Sequence, residues 1–318
     1  MKLQRFGKTD LHVSNLCFGG NVFGWTVNEA QSFALLDTFV AAGGNFIDTA
    51  DVYSRWVPGH RGGESETVIG NWLAASPGMR SKVVIATKVG MELAADRKGL
   101  SASWIARAVE DSLRRLRCDV IDLYQSHTDD ASVSFEETLG AYDRLIRAGK
   151  VRYIGASNYS AARLSESLAV SRANGLPEYV SLQPLFNLYD RAVFERELQP
   201  LCAREDIAVI NFYALAAGFL TGKYREASDA GKSPRGQGVA RKYVNPRGLR
   251  ILQALDVVAR ELNAKPGQIA IAWLLHQSAV TSPIASATSL SQLAELVSAS
   301  ELHLSNEQLA LLGSASQE

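Results

Sequence analysis

The chain has 318 residues, 47% of them hydrophobic, with 33 basic residues set against 33 acidic ones. Zero formal charge argues against a general affinity for nucleic acid or for an anionic membrane. The composition is that of a globular protein with a sizeable core. Cys17, Cys118 and Cys202 are widely spaced and odd in number. They form no CxxC pair and no metal-ligand spacing, and free thiols fit a reducing cytosol. The opening stretch MKLQRFGKTDLHVSNLCFGG lacks the apolar core of a signal peptide, and no apolar run is long enough to span a bilayer. The expectation is a soluble, cytoplasmic protein.

In chain order, Met1–Val13 reads as a hairpin turning at GKTD. Short apolar, β-branched runs follow at Leu16–Phe18, Asn45–Ile47, Val83–Thr87, Ile121–Gln125, Tyr153–Ala156, Tyr179–Gln183, Ala208–Phe212 and Thr281–Ile284. Between them lie segments of helical period: Ala30–Ala42, Ile105–Leu116, Val133–Ala148, Ala161–Asn174 and Arg247–Leu262. Asp119 and Gly149 fall where helix and strand change over. Continuous apolar strands alternating with helices predict a parallel sheet covered by helices. Eight such units at this length predict an α/β fold, a (β/α)8 TIM barrel, with an N-terminal β-hairpin plugging one end and extra C-terminal helices. The extra helical region is Asn245–Gln277. No linker, low-complexity tract or repeat interrupts the chain, so residues 1–318 read as one domain.

Active sites of such barrels lie at the C-terminal ends of the strands. Chemically capable residues cluster there. NFIDTADVY carries Asp48 and Tyr53, IATKVG carries Lys88, DLYQSH carries His127, and IGASN carries Ser157 and Asn158. A lysine directly after the run Val83–Ala86 needs a partner, because a buried lone ammonium is expensive. Asp48, at the same level of the adjacent strand, can supply it. With the four side chains together, Lys88 would lower the pKa of Tyr53 and Asp48 would hold the lysine charged. Tyr53 would then act as general acid, with His127 donating to the carbonyl oxygen. No protein side chain supplies hydride, so a nicotinamide cofactor is implied. Taken singly, each residue has a plainer role. Asp48 reads as a helix N-cap, Lys88 as a solvent-reaching side chain, Tyr53 as a pocket-lining aromatic and His127 as a structural histidine.

The segments FIDTADVY, ATKVG, DLYQSH and GASN resemble, in order and spacing, signature segments of the aldo-keto reductase superfamily. The likeness continues through SLQPLFNL, AGFLTGKY and SATSLSQL, and so covers nearly the whole chain. It implies a barrel that binds an extended nicotinamide dinucleotide, with Tyr53 as acid, Lys88 and Asp48 as its tuning pair and His127 as carbonyl orienter. By the same resemblance Ser157, Asn158 and Gln183 would hold the nicotinamide carboxamide. Phe212 would take the place of the usual stacking tyrosine. Leu215, Gly218 and Lys223 would flank the pyrophosphate, and Ser286, Thr288 and Gln292 the adenosine end. NADPH is the expected cofactor, with NADH the alternative, because Ile284–Leu293 contains no cation for a 2′-phosphate. An arginine from the loop Ser233–Arg241 is expected to reach over. The partner is a small-molecule carbonyl substrate. Trp25 and Trp56 read as pocket walls, in loops Val22–Asn28 and Ser54–Gly63, with Ser228–Tyr243 as a third loop.

Other nicotinamide enzymes fit worse. GGNVFG has the wrong spacing for GxGxxG, and there is neither a Tyr-x-x-x-Lys pair nor a zinc set. GFLTGKY is one residue short of a Walker loop. LAAGFLTGKY and GESE also resemble the branch containing potassium-channel β subunits, so a cofactor-sensing binding module is the alternative to an enzyme. Within the enzyme class, an NAD-linked sugar or alcohol dehydrogenase is the runner-up.

Overall fold

The computed structural model describes residues 1–318. Strands β1 (Leu3–Arg5) and β2 (His12–Ser14) pair antiparallel as the expected hairpin. Eight parallel strands follow in the spatial order β10-β3-β4-β5-β6-β7-β8-β9. They are β3 (Cys17–Gly19), β4 (Phe46–Asp48), β5 (Val84–Val89), β6 (Ile121–Ser126), β7 (Val151–Ser157), β8 (Ser181–Gln183), β9 (Ala208–Val209) and β10 (Ile284–Ala285). The N–H groups of Thr281 and Ser282 donate to Val209 O, at 2.8 and 3.2 Å, and Ile284 N donates to Asn211 O at 3.0 Å. These bonds join the two ends of the sheet into a barrel.

The helices on its outside are α1 (Glu29–Ala41), α2 (Glu64–Ala75), α3 (Ala102–Leu116), α4 (Phe135–Arg147), α5 (Ala161–Asn174) and α6 (Gln199–Arg204), then α7 (Gly236–Tyr243), α8 (Pro246–Glu261), α9 (Pro266–Leu275), α10 (Leu290–Ala299) and α11 (Asn306–Ala315). Several start on a serine whose side chain accepts from the third residue on: Ser101, Ser134, Ser160, Ser289 and Ser305. Helices α8 and α9 fill the extra region before the last strand, each opening on a proline at its first turn.

Several elements differ from the sequence expectation, among them helix α6, which lies where no helix was expected. Helix α2 lies in a stretch with no helix expected, entered from Gly63 in a left-handed conformation (φ 86°). The expected loop Ser228–Tyr243 contains α7 in its second half. The last strand is Ile284–Ala285 where Thr281–Ile284 was expected, because Pro283 has no N–H to give the ladder and the residues before it bond to Val209 instead.

Strand side chains alternate between two cores. Phe46, Val84, Ala86 and Leu123 face the barrel interior, where Phe6, Leu11 and Val13 of the hairpin close the N-terminal end. Ile47, Ile85 and Tyr124 face outward under the helices. With a period of two, Asp48, Lys88 and Gln125 continue the inward-facing rows at the opposite end of the barrel. The apolar plug thus ends where the polar layer begins. No helix is long and apolar enough to cross a membrane.

Candidate active site

Neighbouring strands are in register such that Lys88 sits beside Gln125, Gln125 beside Gly155, and Ser157 beside Gln183. Gly155 is required at its position, since a Cβ there would lie 2.4 Å from Ser181 Oγ and 3.1 Å from Gln125 Cγ. Its missing side chain is the space that Gln125 occupies.

Lys88 is fully buried, and its ammonium has three acceptors for three protons. Nζ lies 2.6 Å from Asp48 Oδ2, 2.9 Å from Thr49 O and 2.8 Å from Tyr53 Oη. Tyr53 reaches this point because the chain turns back after β4. Thr49 N donates to Ala86 O at 2.8 Å, and Tyr53 N to Ala50 O at 3.2 Å. Thr49 Oγ1 also sits 2.8 Å from Ser65 Oγ, tying the turn to α2. The Tyr53 hydroxyl lies 3.3 Å from Asp48 Oδ2. Asp48 ends its strand and caps no helix, and Lys88 does not reach solvent.

His127 follows β6 directly. Its backbone N–H donates to Val89 O at 2.8 Å, and its carbonyl accepts from Asn158 Nδ2 at 2.9 Å. The imidazole stands edge-on to the Tyr53 ring, centroids 6.0 Å apart at 73°. Burial, aided by the Lys88 charge, holds its pKa well below the usual histidine value, so the ring is neutral near pH 7. Nδ1 is buried with no hydrogen-bond partner in the protein.

The phenol of Tyr53 departs from expectation. Its pKa is pushed well up, first by burial and then by the Asp48 carboxylate, where the sequence argument expected Lys88 to lower it. The reason is that Asp48 contacts both groups, so its negative charge opposes the ammonium at the phenol oxygen. The hydroxyl therefore keeps its proton through the neutral range.

Asp48 Oδ1 accepts from Gln125 Nε2 at 3.2 Å and Gln183 Nε2 at 2.9 Å, and Gln183 Nε2 lies 3.2 Å from Gln125 Oε1. Gln125 was not singled out from sequence. It ends the expected run Ile121–Gln125, and its inward parity is the one signal that marks it. Gln125→Leu should leave an acceptor of Asp48 short of a donor and cost about 1–3 kcal/mol. Denaturant unfolding checks this, and a variant as stable as wild type would show that the bond is not needed.

The remaining candidates fall into three groups. Ser157 and Asn158 border the site, with Asn158 Nδ2 3.1 Å from Ser157 Oγ and Ser157 Oγ donating to Gln183 O at 3.0 Å. Leu215, Gly218 and Lys223 share a tight turn in which Tyr213, Ala216, Ala217 and Gly218 all have positive φ. Within it the N–H groups of Ala216 and Gly218 donate to Tyr213 O and Leu215 O, at 2.7 and 2.8 Å, so the turn is held by its own backbone. A Cβ on Gly218 would lie 3.3 Å from Lys223 Nζ, so the glycine lets that cation close over the turn. Phe212 leads into this turn, its ring edge-on to Tyr213. Ser286, Thr288 and Gln292 lie at the end of β10 and the start of α10. Ser286 Oγ donates to Asn21 Oδ1 at 2.5 Å, and the Thr288 backbone and hydroxyl both bond to Gln292 Oε1. None of these last residues touches the Asp48–Lys88–Tyr53 cluster. The Lys223 ammonium beside Gly218 is a donor that fits a phosphate of a dinucleotide.

Trp25 and Trp56 meet edge to face, centroids 5.5 Å apart at 81°, and Trp56 is 6.1 Å from the Tyr53 ring. They stand beside the site, as a pocket wall would.

Residues 15–317 match the family model described as the aldo/keto reductase family. YrpG of Bacillus subtilis, described as an uncharacterized oxidoreductase, is 32% identical over 98% of this chain and 95% of its own. Protein tas of Escherichia coli is 34% identical over 98% of this chain and 96% of its own. A probable voltage-gated potassium channel subunit beta of Oryza sativa is 32% identical over 93% and 90%. The chain belongs to the aldo/keto reductase family, whose members use nicotinamide cofactors and act on small carbonyl compounds. It is an oxidoreductase in class, and its eight parallel strands and surrounding helices are the family's barrel.

Proposed function

We propose that this chain, working as one barrel domain in the cytoplasm, reduces an aldehyde or ketone to the alcohol with NADPH. The observation that carries the reading is the Lys88 ammonium held between Asp48 Oδ2 at 2.6 Å and Tyr53 Oη at 2.8 Å. When bound, the nicotinamide supplies the hydride that the carbonyl carbon accepts. The carbonyl oxygen takes its proton from Tyr53 Oη, which is protonated at neutral pH for the reasons given above. Lys88 stabilises the phenolate left behind, and Asp48 keeps the lysine in place. Neutral His127 donates one hydrogen bond to the carbonyl oxygen, which holds it toward the phenol. Solvent reprotonates Tyr53 after the alcohol leaves.

Ser157, Asn158 and Gln183 would hold the carboxamide, with Phe212 against the ring. Gln183 must then release Asp48, which Gln125 continues to hold. Leu215, Gly218 and Lys223 would bind the pyrophosphate, and Ser286, Thr288 and Gln292 the adenosine end.

A relative named as a channel subunit supports a second reading, a cofactor-binding module. Against it stands the complete cluster of acid, lysine and carboxylate. Measuring kcat/KM for a panel of aldehydes with NADPH and with NADH separates the possibilities. Turnover with NADPH preferred is expected. A strong NADH preference overturns the NADPH assignment and favours the dehydrogenase. Cofactor binding with no turnover of any carbonyl overturns the enzyme.

A further inference from the structure

Beyond Tyr53 the aromatic contacts continue outward to a cation. Tyr53 meets Trp56 and Trp56 meets Trp25, and the Arg235 guanidinium lies over the Trp25 ring, 5.2 Å from its centroid. Trp56 is 49% exposed, among the few large apolar side chains left to solvent. The arrangement is tied down on both sides. Ser54, in a left-handed conformation (φ 71°), donates its buried hydroxyl to Phe23 O at 3.0 Å. That bond joins the Trp56 loop to the Trp25 loop. Arg235 N donates to Ser233 Oγ at 3.2 Å, and Ser233 Oγ lies 2.6 Å from the hydroxyl of buried Tyr224. Gly236 allows the close packing here, since a Cβ would lie 2.0 Å from Ala230 O.

The half-buried Arg235 has no carboxylate partner and gives no side-chain hydrogen bond to the protein. Other arginines lying over aromatic rings are paired: Arg163 with Asp129, Arg152 with Asp10 and Arg191 with Glu195. Arg107, the unpaired exception, projects into solvent over Trp104. A guanidinium lying over an indole keeps its N–H edges free, and those edges match a carboxylate bidentately.

We propose that Trp56, Trp25 and Arg235 form a subsite that selects carbonyl substrates with an elongated, planar apolar body and a carboxylate at the end remote from the carbonyl. The inference rests on the carbonyl-reductase reading, because it takes Tyr53 as the point where the carbonyl is held. The body runs from Tyr53 past the two indoles, whose planes stand at 81° to each other, toward the arginine, and a two-ring body is the probe of that reach. A single-ring aldehyde engages Trp56 without reaching the arginine. An oxyanion on Arg235 has a second possible source, the phosphates of the cofactor, and the test separates the two.

With NADPH saturating, kcat/KM is measured for 4′-formylbiphenyl-4-carboxylate and for its methyl ester, in wild type and in Arg235→Met. Wild type is expected to prefer the acid by about tenfold or more, the range of a charge-assisted hydrogen bond, and Arg235→Met to bring the ratio to about one by the same principle. Biphenyl-4,4′-dicarboxylate, which has no reducible aldehyde, should quench tryptophan fluorescence of the wild type with cofactor bound, and do so much more weakly in Arg235→Met. A wild-type preference for the ester, or an acid preference that survives Arg235→Met, overturns the subsite. So does a variant that binds NADPH more weakly while keeping the acid-to-ester ratio, since the arginine then serves the cofactor. Arginine-dependent quenching with no turnover of any aldehyde supports the subsite while overturning the reductase reading.

Discussion

Tyr53→Phe should lower kcat/KM for carbonyl reduction by about 10²–10⁴-fold, the usual share of a positioned general acid. The hydroxyl it deletes touches only Lys88 and Asp48, so cofactor affinity should stay close to that of the wild type. Fluorescence titration with NADPH beside steady-state kinetics reads both quantities, and a variant retaining most of the wild-type rate would show that another group delivers the proton. The pH profile sharpens the test. Burial and Asp48 raise the phenol's pKa, so its proton is present below and through the neutral range and is lost only as the medium becomes strongly alkaline. The reduction rate should therefore not fall across neutrality through loss of this acid. His127, held neutral by burial, should add no titration at the ordinary histidine value.

Lys88→Met should damage both turnover and stability. The methionine fills a similar volume but removes the ammonium that lies 2.8 Å from Tyr53 Oη, where the proposed reaction would leave a phenolate. It also leaves Asp48, 1% exposed, as a buried carboxylate without its countercharge. Breaking a buried pair on one side costs about 3–5 kcal/mol. Adding Asp48→Asn to Lys88→Met removes the stranded charge and should recover much of that stability without recovering turnover. Thermal unfolding and single-turnover reduction, measured on the single and double variants, separate the two effects. A single variant with unchanged melting temperature would show that Gln125 and Gln183 suffice to hold Asp48. Recovery of turnover in the double variant would remove Lys88 from the chemistry.

Much of the architecture was legible because a barrel repeats one rule. Each of the eight expected apolar runs overlaps an observed strand, and helix α5 starts and stops at the expected residues, Ala161 and Asn174. Polar residues placed just after those runs marked Asp48, Lys88 and His127 as candidates, and the structure brings Asp48 and Lys88 together. Helix α2 was missed because Glu64–Ala75 follows a glycine-rich loop and opens with no side-chain cap. Gln125 was missed because a glutamine closing the run Ile121–Gln125 looks like part of the strand until one knows which parity faces the barrel axis. The last strand was misplaced at Pro283, where the chain bonds across to Val209 before entering the sheet.

The sequence by itself determined which residues stand at the strand ends, because alternation along a strand and the order of segments are local properties. It also sufficed to assign the family. Only the tertiary structure decided what those residues do to one another. The direction of the Tyr53 shift depends on burial and on Asp48 lying within reach of both phenol and ammonium. Gln183, expected against the cofactor, also bonds to Asp48, 135 residues away. Arg235 lies over Trp25 because two loops distant in sequence are brought together at the barrel mouth. Burial and charge balance are sums over neighbours that a linear chain does not contain until the barrel closes.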